Sequence, residues 1–528
     1  FKMNKAEERW KQDYKAFDEA AHKFFTNEMD AKTYKGISGG FGSYAQRGGQ
    51  LSMLRLRHSA GRMDKKRLAF IADMIEQYKI DTVHFTTCQA VQLHNLDEKS
   101  VTELAVKALS VGIVTRGGGG DYPRNTMMSP LSGVEQGEYF NVLPYALVTG
   151  DYAMDIINRK KMPRKLKIGF SNGPANYPHA TYRDLGFVAR PDGLFDVYSA
   201  GGLGNKPLFG VKVADAVKPD QVLYYVEAMY DTFVAYGDYE NRSHARTRYM
   251  QEICGGAESY KEKYLEKLKA VYDSKDLTIT SDMIAKVMDF DEKAIELKAS
   301  KAVCEDGVLC RRVVAQKQKG LYAVKYHPIG GTPDVGVFRK LSDAIKDMDQ
   351  VELRLCPDES IYIINLTASE AKEVLSVTSD GAATAFEESV ACIGASICQQ
   401  GVRDSQQLLK EVIAMEKEQG FADGILPQIH ISGCVSSCGT HQTGALGFHG
   451  GVKLIDKVPM PAFTLHIGGN DEQGKEKMGE VAGTMLQKDI PAFLCEVGKT
   501  VQANNLCYYA WIKSNPEAIK TIAAKYLV

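Results

Sequence analysis

The 528-residue sequence predicts an α+β fold of two ferredoxin-like halves, each followed by a longer glycine-rich α/β region, in a pseudo-twofold arrangement. Three observations predict it. A β-α-β-β-α order occurs twice, at an offset near 270 residues. Val351-Glu-Leu-Arg-Leu-Cys356 echoes Val83-His-Phe-Thr-Thr-Cys88, and the segment from Ile364 to Leu375 echoes the one from His94 to Leu104. Glycine-rich stretches then follow each repeat. Chance periodicity is the plain alternative, and several elements aligned at one offset outweigh it.

In the first repeat, 51–57 alternates apolar and basic residues, so Arg55 and Arg57 share one face of a strand. Leu68, Ile71, Met74, Ile75 and Tyr78 follow at helical spacing. Strands at 82–87 and 90–94 and a helix opening near Asp97, with Val101, Leu104 and Ala105 inward, complete it. The second repeat offers a strand at 321–327 and a helix marked by Phe338, Leu341, Ala344, Ile345 and Met348. The divisions expected are an N-terminal arm (1–45), the first half (46–112), its α/β region (113–275), a linker with an amphipathic helix (276–310), the second half (311–378) and its α/β region (379–528). Two like halves can enclose one large cofactor between them.

Composition bounds the function. A net charge of −1 gives no reason to expect nucleic acid or an anionic membrane, and no apolar run reaches the roughly 20 residues of a span. Eleven cysteines in 528 residues are too sparse for a disulfide scaffold and point to a reducing interior, the cytoplasm by default.

Four cysteines form two tight pairs, Cys392-x5-Cys398 and Cys434-x3-Cys438, among small residues. Thiolates are soft ligands, suited to zinc or an iron–sulfur cluster. Gaps of five and three differ from the common two-residue zinc knuckle, which favours a four-iron cluster. Cys304 and Cys310 repeat the five-residue gap without a second pair.

Basic residues also stand in unusual places. Arg55 and Arg57 lie in an apolar strand, and Arg124 follows the run Gly117–Gly120 in Asp121-Tyr-Pro-Arg-Asn125. Lys165 and Lys167 are expected on one face of a strand over 162–170. Each alone reads as a surface salt bridge. Together, amid glycine turns, they suit an oxyanion site. The stretch Gly201-Gly-Leu-Gly-Asn-Lys-Pro207 lacks the dinucleotide fingerprint, and no Gly-Lys-Ser/Thr follows Gly117–Gly120, so a nucleotide enzyme is disfavoured.

With these residues in view, the chain resembles the siroheme-dependent sulfite and nitrite reductase family from about Gly42 to its end. Gly42-Ser-Tyr-Ala-Gln46 and Met53-Leu-Arg-Leu-Arg57 resemble the first siroheme-facing strand, and Asp121–Asn125 the DNVRN-type turn. Met162–Lys167 resembles the LPRKxK strand, and Asn241-Arg-Ser-His-Ala-Arg246 the NRxKAR segment. Gln316-Lys-Gln-Lys-Gly320 resembles the start of the second repeat, and the cysteine pairs match the cluster signature.

The resemblance implies that Cys392, Cys398, Cys434 and Cys438 hold a [4Fe–4S] cluster, with Cys438 also bridging to siroheme iron. Arg55, Arg124, Lys165 and Lys167 match the catalytic, anion-binding quartet, while Arg57, Gln89, Asn125, Arg246, Gln316 and Lys317 match cofactor-binding positions. Six-electron reduction of sulfite to sulfide is implied, with nitrite to ammonia as the alternative. The electron donor would be ferredoxin or a separate reductase subunit. A non-catalytic siroheme or cluster protein is the reading from another class, and the complete basic quartet argues against it; a zinc scaffold is a third and weaker reading. Three departures stand out. Val435-Ser436 replaces proline–asparagine, Cys88 occupies an arginine position in Thr86-Thr-Cys-Gln89, and His244 replaces a lysine.

Overall fold

The computed structural model describes residues 5–159 and 161–528, so residues 1–4 of the expected arm lie outside the described residues. Four sheets carry the fold. In the first half lie β1 (Ser43–Ala45), β2 (Ser52–Arg57), β3 (Arg62–Met63), β4 (Val83–Phe85) and β5 (Ala90–Leu96). The first α/β region holds β6 (Met127–Met128), β7 (Ile168–Ser171), β8 (Leu185–Ala189), β9 (Phe195–Ser199) and β10 (Val211–Val217). The second half holds β11 (Val313–Ala315), β12 (Tyr322–Tyr326), β13 (Glu352–Leu355) and β14 (Ile361–Leu366). Last come β15 (Val390–Ala391), β16 (Ile429–Ser432), β17 (Leu446–Ile455), β18 (Val458–Ile467) and β19 (Glu480–Leu486).

The duplication is visible in the sheet orders. One half pairs as β1-β2-β5-β4 and the other as β11-β12-β14-β13, extended by β3. In both α/β regions the first three strands pair in parallel and the last three antiparallel. Helix Lys65–Tyr78 buries Leu68, Ile71, Met74 and Ile75, and helix Gly336–Ile345 buries Phe338, Leu341 and Ile345, as their spacing predicts. Asp97 caps the next helix by accepting from Ser100 N, and Thr367 with Glu370 forms a capping box on its counterpart. The two halves share one apolar core, where Phe85 meets Phe338 edge-on at 6.0 Å.

One side-chain motif occurs at equal spacing in each half. Gln46 Nε2 donates to Asn95 Oδ1 and Gln46 Oε1 accepts from Asn95 N, both at 2.8 Å. Gln316 and Asn365 repeat this pattern at 3.0 and 2.6 Å. Both asparagines take a left-handed φ, near 60°, which the reciprocal amide bonds hold in place.

A second seam is electrostatic. Strand β3 belongs to the first half but pairs with β13, and Arg62 and Arg354 both bond the buried Glu352 carboxylate. Removing either partner would strand a buried charge, at a cost of about 3–5 kcal/mol.

The strand expected over 162–170 forms only from Ile168, preceded by a single bridge between Pro123 and Leu166. Pro163 lacks the N–H that pairing there requires. Lys165 and Lys167 still flank the buried Leu166, so the alternation persists without the strand.

Candidate active site between the halves

The basic residues converge because two glycine runs interlock. A Cβ on Gly119 would lie 2.5 Å from Gly39 O, so only glycine lets 117–120 lie against 39–42. Arg55 Nη1 and Arg124 Nη1 both donate to Gly118 O, at 2.6 and 3.1 Å, and Arg124 also donates to Gly120 O. Tyr44 Oη accepts from Gly120 N at 2.7 Å. The buried Asp184 accepts from Lys167 N and pairs with Arg246, fixing the 165–167 segment beside the glycine run.

Five cations in this region stand without carboxylate partners among the described residues. Arg55, Arg124, Lys165, Lys167 and Arg183 form no ion pair with a carboxylate among the described residues. Burial, then Lys167, Arg246 and Arg124, pushes the Lys165 ammonium well below its ordinary range. Burial likewise lowers Lys167, and Arg124 falls to about 10 through burial and the nearby Arg55. Like charges some 6 Å apart repel by about 3 kcal/mol at an effective dielectric of 20, so the cage favours an anion.

Cys88 is the group that sequence reasoning registered only as a missing arginine. Its Sγ lies 3.1 Å from Lys167 Nζ. Burial pushes this thiol up, but Lys167, Arg183 and Arg55 outweigh it and bring it to about 6. Arg183 was also missed. It sits in an irregular loop within no quoted motif, with Nε donating to Pro178 O and Nη2 buried without a partner.

The cysteines reach the cage from the other side. Gly433 N donates to Cys392 Sγ at 3.2 Å, and a Cβ on Gly433 would lie 3.7 Å from that sulfur. Burial, with Cys438 nearby, raises Cys392 to about 12; Cys438 is an exposed residue, yet desolvation of its sulfur still raises it, with Cys398 and Cys434 adding to the shift and Lys165 and Lys167 opposing it. The first half grips this loop directly. Arg47 donates to Cys398 O and Gly401 O, and Thr87 Oγ1 donates to Cys438 O at 2.9 Å.

The remaining predicted positions are engaged elsewhere. Arg57 donates to the carbonyls of Arg116, Pro123 and Arg124 and so supports the cage from behind. Gln89 donates to Met128 O and Leu355 O and accepts from Met128 N, which leaves its amide on the seam between the halves. Asn125 Nδ2 ties to Cys88 O and Gln89 O, leaving Oδ1 buried and unpartnered. Gln316 serves Asn365, and Lys317 pairs with Glu138. Val435 and Ser436 are exposed, and His244 bonds Asn241 and Ser243 at the surface.

The donor set suits a cluster and a polycarboxylate macrocycle. All four thiols are free, and Gly433, where a Cβ would fall 2.6 Å from Arg403 O, lets the two cysteine-bearing loops pack closely together. Arg183 Nη2, Arg246 Nε and Arg248 Nη1 are buried donors without partners, as carboxylates would require.

A duplicated α+β scaffold that brings four free thiols toward a cationic cage has the make-up of a protein that seats a redox cofactor beside an anion. Residues 44–109 match the family model described as nitrite/sulfite reductase ferredoxin-like half domain, and 119–271 match the nitrite and sulphite reductase 4Fe-4S domain. Sulfite reductase [ferredoxin] 1 of Mycolicibacterium paratuberculosis is 24% identical over 79% of this chain and 73% of its own length. Ferredoxin–nitrite reductase of Synechococcus elongatus is 24% identical over 79% of this chain and 80% of its own. The structure of the Mycobacterium tuberculosis NirA protein shares the fold at a TM-score of 0.74 and 19% identity, covering 93% of this chain and 92% of that one. The two matched stretches and these relatives support the nitrite and sulfite reductase family, and with it siroheme and a [4Fe–4S] cluster as cofactors. No helix among the described residues is long and apolar enough to cross a membrane.

Proposed function

We propose that the protein reduces a small oxyanion, sulfite to sulfide in preference to nitrite to ammonia, with electrons from ferredoxin or a separate reductase subunit in the cytoplasm. The observation that carries this reading is the meeting of cage and cysteines at Cys438, which feels Lys165 and Lys167 and is tied to the first half through Thr87. Cys392, Cys398, Cys434 and Cys438 would hold the cluster, with Cys438 shared with siroheme iron. Arg183, Arg246 and Arg248 would meet siroheme carboxylates through their unpartnered donors. When bound, the two cofactors would relay the donor's six electrons, one at a time, to the substrate.

The chain's own residues do the rest. Arg55, Arg124, Lys165 and Lys167 attract the anion and stabilise the charge that develops as its oxygens leave. The burial, and after it the neighbouring cations, that lower Lys165 and Lys167 also make their protons easier to give up, which suits them as proton donors. Two lysines around Leu166 favour sulfite, because lysine with asparagine is more typical of plant-type nitrite enzymes.

Turnover of purified, siroheme-loaded protein with reduced methyl viologen tests the reading. Higher kcat/KM for sulfite is expected, and equal efficiencies would overturn the preference. A colourless protein without a Soret band would overturn the whole assignment.

A further inference from the structure

Three histidines in the last sheet have no part in the reaction proposed above. His449 on β17 and His466 on β18 project from the same face, because Gly447 is the direct cross-strand partner of His466 and lies two residues from His449. His441 is pressed onto that ribbon from the loop after Cys438. A Cβ on Gly447 would fall 1.8 Å from His441 O, so glycine there permits the approach. Ser432, the β16 neighbour of His449, accepts from Gly439 N and bonds His441 Nδ1 at 2.9 Å. With Nδ1 engaged, His441 has Nε2 left for a ligand.

The three rings converge. One ligand nitrogen from each lies within 4.8 Å of the others, and His449 Nδ1 is 2.8 Å from His466 Nε2. Ring centroids are 4.7, 4.9 and 5.0 Å apart. Imidazoles bound at about 2.0–2.1 Å around a tetrahedral ion would place their centroids about 5 Å apart. Burial holds all three rings below the ordinary histidine range, and no acidic group stands among the charges acting on them. They are therefore neutral near pH 7, the form that binds metal.

We propose that His441, His449 and His466 form a binding site for a borderline divalent transition ion such as Zn2+, separate from the four cysteines. Nitrogen ligands of this kind suit Zn2+, Ni2+ or Cu2+ over Mg2+ or Ca2+. Three neutral ligands leave a fourth position for water, and the half-buried His449 gives access from solvent. Bound there, the ion staples the loop carrying Cys438 to the β17–β18 ribbon.

The test uses the cofactor-loaded protein incubated with Zn2+, desalted and assayed for zinc by mass spectrometry. About one zinc per chain is expected, with three imidazole nitrogens at about 2.0 Å in zinc X-ray absorption. His449→Ala and His466→Gln should each weaken retention at least tenfold, while the siroheme and cluster spectra show that the fold survives. His449 is half-buried, so its truncation opens no large cavity. Absence of stoichiometric zinc, sulfur ligation, or undiminished zinc in a folded His449→Ala protein would each overturn the site.

Discussion

The two ferredoxin-like halves place equivalent residues 270 positions apart in opposite electrostatic settings. Arg55 on β2 corresponds to Lys325 on β12, since their cross-strand partners, Gln92 and Tyr362, obey the same offset. Arg55 has no acidic partner among the described residues, whereas the buried Lys325 pairs with Asp358 at 2.7 Å and with Glu388. Cys88 corresponds by the same count to Asp358, and Gln89 to Glu359, both with left-handed φ. Near Asp358 the space shrinks to a cavity of about 40 Å³, lined by Tyr177, His179, Cys356 and His430 among others. That is room for a water or two and not for a macrocycle. One half keeps its cations unsatisfied and can bind an anion. The other neutralises its cation internally and acts as scaffold.

The largest effect should come from breaking the neutralised half. Asp358→Ala would leave Lys325 buried and short of its nearest counter-ion, destabilising the protein by about 3–5 kcal/mol. Thermal unfolding should show it, with kcat/KM of the surviving folded enzyme little changed. Lys167→Ala in the open half should do the reverse, lowering kcat/KM by about 10²–10³ with little change in melting temperature. Lys167→Asn should reduce sulfite turnover more than nitrite turnover, and an unchanged ratio would refute the selectivity assigned to that lysine.

Cys88 sharpens the contrast through pH. Its folded value of about 6 lies below the ordinary thiol range, so the thiolate is present above pH 6 and lost below it. As pH falls through 6 the cage gains one net positive charge. The KM for nitrite, which stays singly charged over this range, should therefore fall, and Cys88→Ala should abolish that step. The stability linked to the thiolate is full above the ordinary thiol value near 9 and is lost as pH falls from there through 6, in denaturant titrations of wild type but not of the variant. The smallest effects belong to the shared amide motif. Gln46→Ala and Gln316→Ala should each cost about 1–3 kcal/mol in chemical denaturation, by orphaning the Asn95 or Asn365 N–H. A large difference between them would show that the motif is not equivalent in the two halves.

Much of this duplication is legible in the sequence because it is written in local periodicity. Leu68, Ile71 and Met74, or Phe338 and Leu341, report a buried helix face without knowledge of anything distant. The cysteine spacings and the basic residues beside glycine runs are legible for the same reason. What escapes is direction and partnership. Gln89 lies in a recognisable motif, yet its amide spans the seam to Leu355, 266 residues away. Arg183 carries no pattern of its own, and only the folded loop brings it near Cys88. The Gln–Asn motif was present at equal spacings of 49 residues, but nothing local marks two polar residues that far apart as partners.

The exchanged strand β3 has a consequence for biosynthesis. Arg62 and its buried partner Glu352 are 290 residues apart in the chain. At roughly 5–20 residues per second, Glu352 is made about 15–60 s after Arg62. Throughout that interval the nascent first half carries a guanidinium without its principal counter-ion and an edge strand without its mate. The cysteines from Cys392 to Cys438 lie further along the chain than Glu352, so the cage and the cysteine loop can meet only after that interval has passed.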